Sequence, residues 1–455
     1  MLLIAAAHLT NSQQPMVLPI VGLDELWNWD LESSKPVDVK PLRNYRHKLN
    51  QGLPETMICH DMKGGYLDEE SDNGIILTAD IPNPYVFLNW WNIDIFCYFS
   101  HNFVTIPPIA YINVAHTHGC LALGTFITEW IEGKKLCEKI LESEENVKRT
   151  VECLVSIANH YHFDGWLVNI ENEIQEENLE NLKLFLELLT SQTRASTDFS
   201  RVIWYDSVTA SGNLKWQNML NEHNLAWYSS CDGIYLNYNW DDEMLLRSAD
   251  FGALNRIFVG IDCFARGCIG GWDCYRSFAK ANLIRMSIAL FAPGWICERF
   301  PNHANPIELG LRFWNKLTLY APARPIIDLP ISTNFCAGFT RESGTTRFRL
   351  NSMSLQPQYG LSSSQPVPSL CDGLILAKGS CTRLFNFDVK CESCHVSIKA
   401  ERAIRIILND IVRKVNRTGD VYSVRVDEPI HLRSLDVLVD DEKECLIYYL
   451  SVEEI

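Results

Sequence analysis

The chain has 455 residues, enough for one barrel-sized domain and a smaller second domain. Apolar residues make up 47% and charged residues 21%, which is ordinary for a soluble globular protein. The formal net charge of -16 argues against a surface for nucleic acid or anionic membrane, because such a surface needs clustered lysine and arginine. We therefore expect neither a nucleic-acid partner nor a membrane partner.

The opening residues, MLLIAAAHLTNSQQP, hold a short apolar run with no basic segment before it and no convincing cleavage site. No later run offers the ~20 uninterrupted apolar residues of a transmembrane helix. Without a secretory signal, the 16 cysteines are expected to be reduced and buried rather than paired. The expected location is the cytosol.

The first elements in chain order are those of a barrel. Residues 1–50 are polar and irregular and are predicted to be an N-terminal extension. Residues 51–325 alternate short apolar runs with helix-period stretches, which predicts a parallel sheet. Eight runs are predicted strands, the number that a (β/α)8 TIM barrel needs: 56–62, 93–100, 121–127, 165–171, 201–207, 232–238, 256–262 and 287–293.

Helical spacing flanks the fourth of these strands. Apolar residues recur with a 3.6-residue period from Val147 to Ala158 before it and from Leu179 to Leu189 after it. Residues 326–455 lose this pattern and become short, turn-rich apolar runs, which predicts a β-sandwich-like C-terminal domain. The fold class predicted is therefore α/β, a barrel followed by a β-rich domain.

One cysteine motif lies in the β-rich part. Cys391, Cys394 and His395 match the C-x-x-C-H pattern of haem attachment and also half of a zinc site. No second paired set of ligands stands at metal spacing, so we favour two strand cysteines and predict no metal site.

The stretch 163-FDGWLVNIENEI-174 carries the chemistry of interest. Strand alternation directs Trp166, Val168 and Ile170 to the helices, whereas Asn169 and Glu171 face the barrel interior. Those two residues close the strand, and active sites of barrels are built at the carboxyl ends of their strands.

Three interpretations of this pair are open. In the first, Asn169 caps the next helix and Glu171 is a solvated loop residue. In the second, Glu171 shares catalysis with another acid, although Glu173 belongs to the helix entry and Asp164 lies ~20 Å away by strand rise. In the third, the 2-acetamido group of a sugar is the nucleophile, Glu171 is the general acid/base and Asn169 orients the acetamide.

Long motifs continue in order from about residue 56 to 300: 59-CHDMKGGYLD-68, 94-DIFCYFSHNFVTIPP-108, 123-LGTFITEW-130, FDGWLVNIEN, 204-WYDSVTASGNLKWQN-218, 231-CDGIYLNYNW-240, 259-VGIDCFARG-267 and 289-ALFAPGW-295. In sequence and order they closely resemble the cytosolic endo-β-N-acetylglucosaminidases of glycoside hydrolase family 85. A weaker likeness continues in 330-PISTNFCAGF-339 and 350-LNSMSLQPQ-358. Many relatives carry a longer β-rich C-terminal part, and we do not expect its shortness here to remove activity.

The resemblance implies retaining, substrate-assisted cleavage of the β-1,4 bond between the two core N-acetylglucosamines of N-linked glycans. It implies catalytic roles for Asn169, Glu171 and Tyr205, whose hydroxyl would hydrogen-bond the oxazoline or the attacking water. The implied substrates are N-linked glycans on glycoproteins or free oligosaccharides. No cofactor is expected, because the nucleophile belongs to the substrate.

Further residues near strand ends are predicted to bind substrate, with a packing role as the alternative for each. They are Trp216, which matches a cleft tryptophan of the family, and Trp240, Asn239, His60, Asp61, Trp91, Trp130, Asp262, Phe264, Arg266 and Trp295.

Two other functions stay open. A catalytically silent glycan-binding protein would be expected to lack one of Asn169, Glu171 and Tyr205, and all three are present. A chitinase-like hydrolase would usually show an acid-rich D-x-x-D-x-D-x-E strand, whereas Asn169 stands here at the second-to-last acidic position.

Overall fold

The computed structural model describes residues 17–30, 37–42, 45, 52–71, 73–78, 83–301 and 305–455. Most of the predicted extension 1–50, including its opening apolar run, lies outside these residues. The described part of the extension contains one short helix, Leu23–Trp27 (α1), whose Trp27 indole donates to the Thr150 hydroxyl at 3.0 Å. This helix therefore packs on the outer layer of the domain that follows.

Eight parallel strands form a closed barrel, as predicted. They are Thr56–His60 (β1), Ile95–Tyr98 (β2), Leu121–Glu129 (β3), Gly165–Glu171 (β4), Arg201–Tyr205 (β5), Gly233–Leu236 (β6), Ile257–Asp262 (β7) and Ser287–Phe291 (β8). Each pairs with the next along the chain, and β8 pairs with β1 to close the ring. All eight predicted strands are confirmed, with ends that differ by no more than two residues.

Helices surround this barrel. They are Ile109–Thr117 (α2), Trp130–Leu141 (α3), Glu144–Tyr161 (α4), Leu179–Ser196 (α5), Leu225–Ser230 (α6), Asp242–Ser248 (α7), Tyr275–Ile284 (α8), Trp295–Arg299 (α9) and Pro306–Leu317 (α10). Short 3-10 turns lie at Asp68–Glu70, Trp90–Asn92, Glu176–Asn178 and Leu254–Arg256. Helix α4 shows why they form: the Ser143 side chain caps its first turn by accepting from Asn146 N, and its apolar stripe is buried.

Strand alternation separates two apolar layers of the barrel. On β4, Trp166, Val168 and Ile170 belong to the large cluster between strands and helices, whereas Leu167 belongs to the interior cluster. The predicted face assignment of β4 is therefore confirmed, and its interior row continues from Leu167 to Asn169 and Glu171.

Residues 331–455 are rich in strands and contain no α-helix. The strands are Ile331–Thr333 (β9), Phe339–Glu342 (β10), Thr345–Phe348 (β11), Val367–Pro368 (β12), Leu374–Leu376 (β13), Cys381–Cys391 (β14), Cys394–Ala400 (β15), Ile404–Leu408 (β16), Ile411–Val412 (β17), Asn416–Thr418 (β18), Val421–Val426 (β19), Ile430–Val439 (β20) and Cys445–Glu454 (β21). One 3-10 turn, Leu350–Ser352, interrupts them, and two further short strands, Ile75–Ile76 and Val104–Thr105, lie earlier in the chain.

Two antiparallel sheets of this region share one core, as in a β-sandwich. One sheet has the order β12-β13-β21-β15-β19-β18, with β9 also on β21, and the other has the order β14-β20-β16-β17. Their apolar side chains meet in a single cluster that is separate from the barrel clusters. Strands β10 and β11 instead pair with each other, and β11 also pairs with Ile75–Ile76. A domain boundary at residue 325 stays a prediction.

All 16 cysteines lie in the described ranges, and none of them forms a disulfide bond. Cys391 ends β14 and Cys394 begins β15, and both side chains lie in the sandwich core. Across the described ranges, no group of three or more histidine, cysteine or acidic side chains is arranged to hold a metal ion. Within the same ranges, every helix is too short or too polar to cross a membrane.

Candidate active site

Asn169 and Glu171 lie side by side on the interior face of β4 at its carboxyl end. Asn169 is buried and Glu171, the last residue of the strand, is half-buried. The Asn169 amide lies close enough to the Glu171 carboxylate to lower its pKa. The Asn169 Oδ1 atom is buried without a hydrogen-bond partner among the described residues. A buried carbonyl oxygen without a partner is costly, and a ligand with an N–H group would satisfy it.

The surroundings of Glu171 raise its pKa from an ordinary 4.5 to about 7. Burial is the main cause, and the neighbouring Glu129 carboxylate adds to it. His101, the Asn169 amide and Arg266 act in the opposite direction. A carboxyl group with a pKa near neutrality can both give and take a proton at working pH, which is the property of a general acid/base.

The structure supports neither the first interpretation of this pair nor the two partner acids considered in the second. Asn169 lies inside β4, ten residues before α5 begins at Leu179, so it caps no helix. Glu173 is exposed and its Oε2 lies 3.7 Å from Lys134 Nζ, while Asp164 accepts from His116 Nε2 at 2.9 Å before the strand begins. Neither acid faces Glu171.

An acid that the sequence analysis missed does face it. Glu129 is the last residue of β3 and stands opposite Glu171 in the register of the two strands. Its Oε2 lies 3.0 Å from His101 Nδ1, and the His101 ring stacks on Trp130 at a centroid distance of 6.3 Å. Trp130 is 75% exposed and has a positive φ of 53°, so it presents a free aromatic face at the rim.

Tyr205 closes β5, the strand next to β4. Its hydroxyl donates to Asn237 Oδ1 at 2.8 Å, and Asn237 Nδ2 donates to Asn218 Oδ1 at 2.7 Å. The backbone N–H of Asn218 in turn donates to Asp206 Oδ2 at 2.6 Å. Burial raises the pKa of Asp206 to about 6 despite these bonds. This chain fixes the position of Tyr205, and none of its other members was predicted.

The loop after β7 adds a cation and an aromatic side chain. Asp262 is fully buried and accepts from Phe264 N at 3.0 Å and from Arg266 Nε at 2.7 Å, so it shapes the loop rather than facing solvent. The Arg266 guanidinium lies 4.8 Å from the centre of the Phe264 ring. The charge of Arg266 lowers the pKa of Glu171 and of Tyr205. Arg266 therefore lies near both residues.

Aromatic rings continue along the rim. Trp295 lies 5.7 Å from Phe264 and stacks on Trp272 at 4.6 Å with an interplanar angle of 16°. Trp272 is 61% exposed and was not predicted, because an aromatic residue in a glycine-rich loop carries no positional signal. Trp216 is also exposed. Asn239 is exposed as well, and its backbone N–H donates to Asn218 Oδ1 at 3.1 Å.

Three predicted binding residues are placed for packing instead. The His60 side chain is buried between β1 and α2, with its Nε2 atom 3.0 Å from Glu70 Oε1 and 3.2 Å from the Tyr111 hydroxyl. Trp240 is buried and its indole donates to the Gly260 carbonyl at 2.7 Å. Trp91 precedes β2, at the opposite end of the barrel, and its indole donates to the Gln356 carbonyl at 2.7 Å from within the sandwich core.

Asp61, by contrast, follows β1 at the carboxyl end. Its Oδ1 accepts from Gly64 N at 3.2 Å, and its charge raises the pKa of His101. It therefore belongs to the same mouth as the Glu129–His101 pair.

Fold and site together define a (β/α)8-barrel protein with a glycosidase-type acid and a carboxamide at the carboxyl face. The model of glycosyl hydrolase family 85 matches residues 66–343, and the chain belongs to this family. It is 39% identical over 365 residues to the cytosolic endo-β-N-acetylglucosaminidases of Gallus gallus and Homo sapiens, covering 77% of this chain and 50% and 48% of the relatives. The chain thus spans about half the length of the curated relatives it matches.

The fold also has a solved counterpart. The glycoside hydrolase domain of Endo-D from Streptococcus pneumoniae R6 superimposes with a TM-score of 0.74 at 14% identity, over 97% of this chain and 83% of that one. At this identity the likeness shows the shared fold alone. The barrel and the strand-rich region that follows it therefore form an arrangement known from a solved structure.

Proposed function

We propose that the chain is an endo-β-N-acetylglucosaminidase that hydrolyses the β-1,4 bond between the two core N-acetylglucosamines of N-linked glycans. Membership of the family and the names of the curated relatives support this bond as the target. The proposed substrates are N-linked glycans on glycoproteins or free oligosaccharides, and the proposed location is the cytosol.

One observation carries the proposal: a buried asparagine, whose side-chain carbonyl oxygen has no partner among the described residues, lies beside an acid of raised pKa. A sugar acetamide that lies over Asn169 would donate its N–H to Oδ1, and that bond strengthens as the acetamide becomes positively charged. The acid beside it, Glu171, is protonated in a large fraction of molecules near pH 7.

The first chemical step follows from these positions. The acetamide carbonyl oxygen attacks C1 of the sugar, the bond from C1 to the glycosidic oxygen breaks, and Glu171 gives its proton to that oxygen. An oxazolinium ion forms while Asn169 accepts from its N–H. Electrostatic stabilisation of this kind is worth roughly 10²–10³ in rate.

In the second step, the Glu171 carboxylate takes a proton from water. The water oxygen attacks C1 from the side that the leaving group vacated, and the oxazolinium ring opens. Two inversions at C1 give net retention. The Tyr205 hydroxyl, held by Asn237, is placed to hydrogen-bond the ring or the incoming water. No cofactor takes part in either step.

The rim supplies surfaces for the sugar rings. Trp130, Phe264 and the stacked Trp272–Trp295 pair present flat apolar faces, on which the C–H faces of pyranose rings pack. We include Trp216, Asn239, Asp61, Asp262 and Arg266 in this proposed substrate surface, with Asp262 acting through the loop that it shapes.

The test is mass spectrometry of a high-mannose glycopeptide incubated with the wild-type chain and with Glu171→Gln. The matched control is Glu173→Gln, which removes an exposed acid two residues further along the chain. The proposal expects a peptide that retains one N-acetylglucosamine with the wild type and the control, and an intact glycopeptide with Glu171→Gln.

Other products of the same incubation would support a different function. An intact glycopeptide that binds tightly to the wild type would favour a silent glycan-binding protein. Cleavage of chitin oligomers without cleavage of the glycopeptide would favour a chitinase-like hydrolase. Release of the whole glycan from asparagine would overturn both the bond and the mechanism.

A further inference from the structure

We propose that Glu129 and His101 form a positioning pair for Glu171, the acid of the proposed reaction. This inference rests on the proposed function and adds two residues to it. Neither would touch the substrate bond, because each acts through Glu171 or through the adjacent Trp130.

Strand register brings the two acids together. Glu129 and Glu171 are the last residues of neighbouring parallel strands and are register partners, so their side chains leave the sheet on the same side. The Glu129 side chain is 11% exposed, which means that its negative charge is held close to Glu171 with little water to screen it. Two carboxylates so placed resist simultaneous ionisation.

His101 holds Glu129 in this position. Its Nδ1 atom donates to Glu129 Oε2 at 3.0 Å, because an ionised carboxylate can only accept. The His101 imidazole also stacks on the Trp130 ring, and the angle between the two ring planes is 18°. His101 comes from the loop after β2, so the contact joins that loop to the junction of β3 and α3.

Trp130 depends on the same contact. It directly follows Glu129 and has a φ of 53°, a left-handed conformation that is unfavourable for a tryptophan. Little of the side chain is packed in the protein, since it is 75% exposed. Stacking on His101 is therefore what directs this ring at the rim.

The two members of the pair act on Glu171 with opposite signs. Glu129 raises the pKa of Glu171, while His101 lowers it. The hydrogen bond that His101 donates to Glu129 is the main reason that the pKa of His101 is raised, with Asp61 and Glu171 adding to it. A protonated His101 thus offsets part of the effect of Glu129. Removing Glu129 also lowers the pKa of His101 and so weakens this opposing charge, but Glu129 has the larger effect, and the pKa of Glu171 should still fall. Removing His101 should raise the pKa of Glu171.

Other groups also face Glu171 but are common to all variants of the pair. They are Asn169 on its own strand, Tyr205 at the end of β5 and Arg266 in the loop after β7. Because these groups stay in place, they cannot produce shifts of opposite sign when Glu129 and His101 are changed one at a time.

The experiment is the pH profile of kcat/KM for cleavage of the high-mannose glycopeptide by the wild type, Glu129→Gln and His101→Gln. The alkaline limb reports the free-enzyme acid that must be protonated. We expect this limb to move down by about half a pH unit or more in Glu129→Gln and up by a similar amount in His101→Gln. Glutamine at 101 still donates a hydrogen bond to Glu129, so it removes the charge and keeps the link.

The matched control is Glu132→Gln, an exposed acid on α3 that pairs with Lys135 at 2.8 Å. Its pH profile should coincide with that of the wild type. Circular dichroism and thermal melting of every variant establish that it is folded. The acid titration of Glu171 itself is read independently from the ¹³C carboxyl signal that disappears on adding Glu171→Gln to each background.

The outcomes separate this inference from the proposed function. Rates that fall in both variants with an unmoved alkaline limb and an unmoved Glu171 titration would overturn the pair and leave the function intact. A folded Glu129→Gln without activity at any pH would overturn it too, since it would make Glu129 the nucleophile. A wild type that does not cleave would refute the function, and the carboxyl titrations would still decide the pair.

Discussion

The acidic side chains at the two ends of the barrel have different neighbours. At the amino end, Arg324 binds the buried Asp94 through two bonds of 3.1 and 3.0 Å, and Arg201 Nε donates to Glu55 Oε2 at 3.2 Å. At the carboxyl end, Glu171 instead faces a second acid, and its neighbour Asn169 keeps an unpaired buried oxygen. The barrel therefore pairs these acids with cations at one end, whereas at the other it places Glu171 beside an acid and leaves Asn169 Oδ1 without a partner among the described residues.

This difference indicates where stability and chemistry reside. A buried ion pair that loses one partner costs about 3–5 kcal/mol, so the amino end holds the fold together. Unsatisfied groups at the carboxyl end cost stability, and the proposed substrate, with its matching acetamide, would recover that cost. Substitutions at the two ends should accordingly change different measured quantities.

The largest effect is expected for Asn169→Ala. Loss of the group that accepts from the acetamide N–H should lower kcat for the glycopeptide by roughly 10²–10³, with melting temperature nearly unchanged. A glycan oxazoline supplied with an N-acetylglucosaminyl peptide acceptor should still be transferred, because its ring is already formed. Hydrolysis and transfer are followed by mass spectrometry. A large drop in melting temperature with a small change in kcat would assign Asn169 to packing.

At the other end, Arg324→Met should act on stability alone. It removes the cation that binds the buried Asp94 carboxylate, which should lower the stability measured by urea denaturation by about 3 kcal/mol without changing kcat. The control is Arg312→Met, whose exposed pair with Glu308 should contribute less than about 1 kcal/mol. A kcat that falls together with stability would show that the two ends are coupled.

The same chemical change, removal of one tyrosine hydroxyl, can be made at each end of the barrel. Tyr205→Phe makes it at the carboxyl end, and Tyr45→Phe makes it at the amino end. Removal of the Tyr205 hydroxyl should lower kcat about tenfold, the value of one hydrogen bond in the transition state. Tyr45 donates to Glu55 Oε1 at 2.6 Å, so its loss should lower melting temperature and spare kcat. Equal kinetic effects of the two substitutions would contradict the assignment of Tyr205.

Two tryptophans in the carboxyl half of the barrel are expected to differ in role, because one is exposed at the rim and the other is buried. Trp130→Ala should raise KM about fivefold, since a stacking surface of roughly 1 kcal/mol is lost. Trp240→Phe should leave KM unchanged and lower melting temperature, because the Gly260 carbonyl loses its donor. If Trp240→Phe raised KM instead, the buried indole would have to contact substrate in a different conformation.

The smallest effect concerns the stability that the folded protein loses when the half-buried Glu171 side chain is ionised. Its folded pKa of about 7 exceeds the ordinary 4.5, so the folded state binds the proton more tightly and stability falls as pH rises between these values. Glu171→Gln, which carries no charge, should melt roughly 1–3 °C above the wild type at pH 8 and at nearly the same temperature at pH 4.5. A pH-independent difference would argue against the raised pKa.

Much of this architecture could be predicted from the sequence. Eight apolar runs between helix-period stretches predicted the closed barrel, and alternation on β4 directed its interior row correctly. His60 could have been placed by the same rule, because Met57 and Cys59 face the interior, which directs His60 outward. The misplacement of Trp91 has another cause: it precedes its strand and so belongs to the amino end.

The contacts around Glu171 and Tyr205 could not be predicted from the sequence, because they depend on how separate strands and loops pair in three dimensions. The predicted third strand ended at residue 127, whereas β3 continues to Glu129, and those two residues bring an acid opposite Glu171. The chain of Asp206, Asn218 and Asn237 behind Tyr205 joins segments up to 32 residues apart. Single-strand periodicity holds no information about such contacts.

In the proposed mechanism, the sugar acetamide is the nucleophile at this barrel mouth. The most direct measurement is kcat/KM for a series of chitobiose-core substrates whose reacting acetamide carries zero, one, two or three fluorine atoms. Fluorine withdraws electrons from the carbonyl oxygen, so the account predicts a steep and regular fall across the series. A flat series in the wild type would contradict it and would indicate that a protein carboxylate, with Glu129 the first candidate, attacks the sugar.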